Sequence, residues 1–128
     1  MAKFREYTTS CGSLIYAGKD AKNNEELITQ VNPDEEVFHT AEVGSPFVNI
    51  KEKPKKNSIK EAAIFCAAYS KDWKKNKDNV VVHRFKGKDV YKEKNMKLGT
   101  FRVKRYSIIE IKKKEILNFL EGLKKCQS

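Results

Sequence analysis

The stretch from Ser58 to Trp73, SIKEAAIFCAAYSKDW, constrains the fold of this chain more than any other. Ile59, Ala62, Ala63, Cys66, Tyr69 and Trp73 recur at helical spacing, and Ser58-Ile59-Lys60-Glu61 has the form of a capping box at its start. Ala62, Ala63, Ala67 and Ala68 are small enough to let such a helix lie close against a sheet. The lysine-rich continuation, KDWKKNKD, favours the negative pole of the helix dipole. A main helix of this kind needs a sheet to cover.

The remaining segments supply one. FREYTTS and SLIYAG, joined by a turn at Cys11-Gly12, read as a hairpin. Glu36–Thr40 and Phe47–Ile50 read as two further strands, separated by the Gly44-Ser45-Pro46 turn. Asn79–Phe85, a short Asp89–Tyr91 segment, Phe101–Tyr106 and Ile108–Ile111 follow as strands, with a turn at Leu98-Gly99-Thr100. Between the second and third strands lies a short helix, with Asn23 as candidate N-cap, Glu26 three residues on, and Leu27, Ile28 and Val31 as its apolar face. Asn32-Pro33-Asp34 stops it, and the KEKPKK run at 51–56 is a solvated loop. Glu115–Lys125 forms a terminal amphipathic helix through Ile116, Leu117, Leu120 and Leu123. Strands and helices mix without strict βα alternation. The expected class is α+β: a single mixed, mostly antiparallel sheet with one main helix and a C-terminal amphipathic helix.

The length of 128 residues allows one domain and leaves no room for a second full-sized core. Cys11, Cys66 and Cys126 are odd in number and widely spaced, which excludes a disulfide mini-protein. The N-terminus shows no secretory h-region, and the longest mostly apolar run, Ala62–Tyr69, is far short of a membrane span. A cytoplasmic protein with no membrane partner is expected. With 27 Lys+Arg against 17 Asp+Glu, the net charge of +10 points to an anionic partner, nucleic acid first.

Catalytic and metal chemistry find little support. Two histidines 44 positions apart and three scattered cysteines give no zinc spacing, so no metal and no cofactor are expected. Cys66 lies on the apolar face of the main helix, where an inert buried thiol is the default. Gly18-Lys19-Asp20 follows a strand and precedes a helix, as phosphate loops do, but it lacks the second glycine and the Lys-Ser/Thr ending of a P-loop. No acid–base pair stands out, and no enzyme is expected. His39 reads either as a satisfied strand histidine or as a polar contact in a ligand cleft; His83 reads as an exposed residue at the edge of the sheet. The strongly positive stretches 71–77, 86–97 and 102–105 have few acids near them in sequence. They interleave with Trp73, Phe85, Tyr91, Phe101 and Tyr106, which would either stack on bases or fill the core. Trp73 and Phe101 fit the core better; Tyr91 and Tyr106 stay open.

The runs GSLIYAGKDAKNNEELI, VFHTAEVGSPFVNIK, SIKEAAIFCAAYSKDWK and LGTFRVKRYSIIEI together resemble the NFACT-R domain, over about residues 4–111. In larger relatives this domain is one module of the ribosome-associated quality-control NFACT proteins, which engage the large ribosomal subunit and tRNA. The resemblance marks Gly18, Lys19, Asp20, Asn24, Glu25, Leu27, His39, Gly44, Ser45, Pro46, Ala63, Tyr69, Ser70, Lys71 and Gly99 as pattern positions. Pro46-Phe47 follows the archaeal form of the loop, where bacterial members more often carry histidine, so no role of that histidine transfers. The resemblance implies a free-standing RNA-binding module without the further NFACT domains that C-terminal tailing requires.

Together, charge and resemblance imply binding to tRNA or rRNA, on or near ribosomes. The residues expected at the interface are Lys19, Asp20, Lys22, Asn24, His39, Ser45, Lys71, Lys74, Arg102 and Lys104. The alternatives are a general nucleic-acid binder that includes DNA, and a scaffolding module that docks on another ribosome-associated factor through its terminal helix. A small-ligand site at the Gly18–Asn24 turn is the remaining possibility.

Overall fold

A computed structural model describes residues 3–127, with side chains through Leu123; the Cys126, Lys124 and Lys125 side chains fall outside the described residues. Strands β1 (Arg5–Thr8), β2 (Leu14–Ala17), β3 (Glu36–Thr40), β4 (Val48–Ile50), β5 (Val80–Lys86) and β8 (Ser107–Ile111) form one sheet in the order β1-β2-β4-β3-β5-β8. Every pairing in it is antiparallel. Strands β6 (Val90–Tyr91) and β7 (Arg102–Val103) pair separately as a small ribbon beside that sheet. Helices α1 (Ala21–Gln30), α2 (Ser58–Ala68), α3 (Lys71–Asn76) and α4 (Lys113–Gln127) complete the α+β architecture.

Side chains alternate across a strand, so the register assigns each residue to a face. Ile15 pairs with Ile50, Phe38 with Val48, Val82 with Ile109 and Val80 with Ile111. These residues join Ala62, Ala63, Cys66 and Trp73 in the larger buried cluster beneath α2. The short alanine side chains bring the helix down onto the strands, as the sequence suggested. α4 closes the same layer: Ile116 is fully buried, Phe119 and Leu120 pack against the cluster, and Leu117 faces solvent. The apolar stripe proposed as a docking face is therefore largely spent on the chain's own core.

The opposite face carries a second, smaller cluster of Leu27, Val37, Phe47 and Phe85, covered by α1 and the ribbon through Ile28, Val31, Val90, Phe101 and Val103. Asn49 is fully buried here without being orphaned. Its amide donates to the carbonyls of Glu36 and Ile50 and accepts from Gln30 Nε2 at 3.0 Å. Lys51 joins Gln30 Oε1 and Glu35 Oε1 at 2.7 and 2.8 Å, tying α1 to β4. Glu36, on the α2 side, holds Arg84 through both oxygens and Lys86 through one. Burial alone would raise the Glu36 carboxyl, but the bonds from Arg84 and Lys86 outweigh it and hold the group below the usual carboxylate range.

Several local expectations are corrected. The cap of α1 is Asp20, whose Oδ1 accepts from Asn23 N–H; Asn23 sits in the first turn and reaches back to Lys19 N–H at 3.0 Å. Ser58 does not cap α2. Asn57, in the left-handed region, precedes the helix without a side-chain bond, and the buried Ser58 hydroxyl meets Ser13 and Thr9 of the hairpin. Glu61 bonds Ser10 rather than the helix start. The main helix is also not continuous to Trp73. Ser70 Oγ donates to Ala67 O and accepts from Trp73 N–H, ending α2 and starting α3. Trp73 is nonetheless buried, and Phe101 packs partly into the second cluster. His83 is not at an edge, because β5 lies between β3 and β8. The strand expected over 101–106 shrinks to Arg102–Val103, and α4 begins two residues earlier than expected.

Candidate nucleic-acid interface

The ends of β2 and β3, the turn into α1, the 41–47 loop, the α2–α3 junction and the 98–106 segment surround a cleft of about 680 Å³. Of the expected interface residues, Lys19, Asp20, Asn24, His39, Ser45, Lys71 and Lys74 line it. Lys22, Arg102 and Lys104 do not. Arg102 is paired with Glu93, and Lys104 lies over the Tyr91 ring at 5.7 Å. The charge count by segment missed such pairings: Lys86 is bound by Glu36 and Lys92 by Glu25, both distant in sequence.

Within the cleft, three expected polar residues are committed to architecture. Asp20 caps α1, and Asn24 Oδ1 accepts from Phe47 N–H at 3.1 Å, holding the helix start to the β4 approach. The buried Ser45 hydroxyl accepts from Thr40 N–H at 3.0 Å and donates to Pro46 O. Cys66 lies beneath this loop, and burial pushes its thiol up to about 12, so it is a packing residue under the cleft and not a nucleophile in it.

The cations differ. Lys71 N–H donates to Gly44 O at 2.8 Å, and a Cβ at Gly44 would stand 2.6 Å from Lys71 Cδ. Gly44 also has φ +99°, so glycine serves both the turn and the passage of the lysine stem. Arg5, missed from sequence, lines the cleft with its guanidinium 4.4 Å from the Tyr69 ring centre. Among the described residues, Arg5, Lys19, Lys71 and Lys74 have no carboxylate partner.

His39 and His83 are cross-strand partners on the open part of the sheet. His39 Nδ1 bonds Thr40 O at 2.8 Å and the ring packs 4.4 Å from Phe47. Burial pushes its pKa down to about 4, against the opposing effect of the Thr40 bond, and His83 depresses it further. At neutral pH the ring is uncharged; with Nδ1–H donating to Thr40, Nε2 is left as an acceptor. Tyr106 stacks on His83 with ring centres 4.1 Å apart and stays 52% exposed. Leu98 and Val43, 57% and 90% exposed, also line this cleft. Leu98 carried no interface signal of its own; Tyr69 was marked only as a pattern position and Phe101 was read as core, and the fold brings all three here.

The 98–106 wall is fastened by Glu25. Its carboxylate accepts from Gly99 N–H at 2.8 Å and pairs with Lys92. Gly99 has φ +80°, and a Cβ there would meet Ala21 Cα at 2.8 Å, so the wall rests directly on the first turn of α1.

An α+β module with an unneutralised basic cleft and exposed rings is the class that fold and site define. The sequence matches the NFACT protein RNA binding domain over residues 3–105, and the chain belongs to that family. It is 38% identical over 76 residues to the archaeal Rqc2 homolog aRqcH of Methanocaldococcus jannaschii, a match covering 56% of this chain and 11% of that protein. The C-terminal part of the fibronectin/fibrinogen-binding protein from Streptococcus suis shares the fold, with TM-score 0.78 and 22% identity over 91% of this chain and 48% of that one. The chain thus spans only a small part of the curated relative it matches.

Proposed function

We propose that the protein binds structured RNA, tRNA or rRNA, through the cleft between Lys19 and Lys71, as a binding module without a chemical step of its own. The observation that carries this reading is the set of cations, Arg5, Lys19, Lys71 and Lys74, that line one cleft without carboxylate partners. Lys19, Lys71 and Lys74 are exposed, so their ammonium groups are available to the phosphates of a polyanion that enters the cleft. Family membership supports RNA as that polyanion, and the name of the Methanocaldococcus relative supports a role in ribosome-associated quality control.

Affinity for tRNA and for a random single strand, measured across a salt series, tests the proposal. Each phosphate contact contributes a slope of about −0.7 to −0.9 in log K against log salt. Lys19→Ala and Lys71→Ala are expected to weaken binding more than Lys113→Ala and Lys114→Ala on exposed α4. Equal losses at all four positions mean diffuse attraction without a site, and undetectable binding removes the proposal altogether.

A further inference from the structure

The cleft contains more than charge. Its floor at the open end of the sheet is aromatic: Tyr106 lies flat on His83, with an angle of 23° between the rings. That stack leaves Tyr106 half exposed. Beside it stands His39, whose Nδ1 is committed to the Thr40 carbonyl and whose Nε2 has no hydrogen-bond partner among the described residues. The ring is fixed in place by Phe47 and by its own backbone bond. A planar platform, a hydrogen-bond acceptor held at fixed orientation, and ammonium groups from Lys19 and Lys71 on the rim form three different kinds of contact. Phosphate attraction uses only the last of them.

The volume argues the same way. About 680 Å³ lies within the range of roughly 300–1,000 Å³ that encloses a small molecule. A helical stem presents its phosphates outward and its bases stacked inward, so it could use the lysines but neither the ring platform nor the His39 acceptor. A single unpaired nucleotide uses all three.

We infer that the cleft takes one unstacked nucleotide of its RNA, with the base laid on the Tyr106–His83 platform, a base N–H donated to His39 Nε2, and the flanking phosphates held by Lys19 and Lys71. This inference rests on the proposed RNA-binding function and assigns its selectivity. Unpaired positions are bound through the cleft, and continuous duplex is bound by charge alone. Base identity is weakly selected, because every base has a face to stack and an N–H on an edge, apart from the extra constraint of that single acceptor.

The test compares three RNAs of equal length at one salt concentration: a blunt duplex, the same duplex with one bulged nucleotide, and a single strand. Anisotropy is expected to show the bulged and single-stranded RNAs binding about tenfold more tightly than the blunt duplex, the size of one base–aromatic stack. Tyr106→Ala should bring the bulged RNA down to the blunt-duplex affinity while leaving the blunt duplex unchanged; Tyr106→Phe should keep the difference. His39→Phe keeps the ring packing and removes the acceptor, so it should lower bulged-RNA affinity alone. Equal affinity for blunt and bulged duplexes overturns the inference, as does a Tyr106→Ala loss shared by all three RNAs. In both cases the RNA-binding proposal stands if binding remains salt-dependent and sensitive to Lys71→Ala. Absence of binding to every RNA overturns both.

Discussion

The face of the sheet that carries Ile15, Phe38, Val48 and Val82 is closed over its apolar layer by α2 and α4, whereas the apolar layer of the face that carries Val37, His39, His83 and Ile108 is closed over only part of it. On the closed side, Ile15, Phe38, Val48, Ile50, Val80 and Val82 are fully buried, and the Glu36 ion pairs with Arg84 and Lys86 finish one end of the layer. On the other, α1 and the ribbon cover Val37 and Phe85 and then stop, leaving Tyr106 and Ile108 (65% exposed) uncovered. One set of strands thus holds the domain together with its odd-numbered or even-numbered residues, according to strand, and lines the cleft with the others. Burial on the first face and incomplete burial on the second are two uses of the same pleat.

The sharpest way to break the comparison is to open the closed face. Phe38→Ala should cost about 3–5 kcal/mol, read as a fall in denaturant midpoint, because the side chain is fully buried and the helices above it cannot collapse into the space. RNA affinity of the folded fraction should not change. Acid addresses the open face. Between the ordinary histidine pKa of 6.5 and about 4, the unfolded chain takes up a proton at His39 that the folded chain does not, so stability falls as pH is lowered through that window. Unfolding free energies from urea melts at pH 7 and pH 5 should differ by about 2 kcal/mol from this group. His83, opposite on β5, is lowered too and adds in the same direction, while Lys71, Lys19 and Asp20 line the same cleft. His39→Phe should remove most of the pH dependence in this window, before Glu35 and Glu36 begin to protonate at lower pH and add their own loss.

A smaller effect is expected at Gly44. Gly44→Ala combines a strained left-handed backbone with a contact against the Lys71 stem, for about 1–2 kcal/mol of stability and a loss of RNA affinity from displacing that lysine. Smallest in stability is Lys71→Ala, within about 0.5 kcal/mol, since the ammonium has no partner to lose. Its effect belongs to binding, where the salt slope should fall by about one phosphate contact. If Lys71→Ala instead destabilised the fold as strongly as Gly44→Ala, the lysine would be a packing residue.

The hairpin, the central strands, α1 and α4 were legible because their alternation or helical period directly reflects one buried side. The start of α2 was not. Ser58 and Glu61 have the spacing of a capping box, yet both side chains are taken by hairpin residues Thr9, Ser10 and Ser13, some 45 positions or more away. The break at Ser70 was hidden because the apolar period continues into Trp73 on the far side of it. For the site, the motif positions Lys19, His39 and Lys71 converge, but Arg102 and Lys104 were chosen on local charge alone. Glu93 lies nine residues before Arg102, and only the ribbon's fold brings the two together. Arg5 became visible as a cleft residue only once β1 had a position, and Tyr106, open in the sequence between stacking and core, was placed in the cleft by the 98–106 wall.

The strand order also bears on how the chain comes into being during synthesis. β1, β2, β3 and β4 are complete by Ile50 and are mutual neighbours, so they are able to pair before any later residue exists. Their common layer of Ile15, Ala17, Phe38, Val48 and Ile50 has no cover until Ser58–Ala68 emerges, and the outer edge of β3 has no partner until Val80–Lys86 follows. A chain halted between those points carries a greasy half-sheet with an open edge, the kind of surface that other chains join. Completion of α2 and β5 is what turns the half-sheet from an aggregation template into a folded domain.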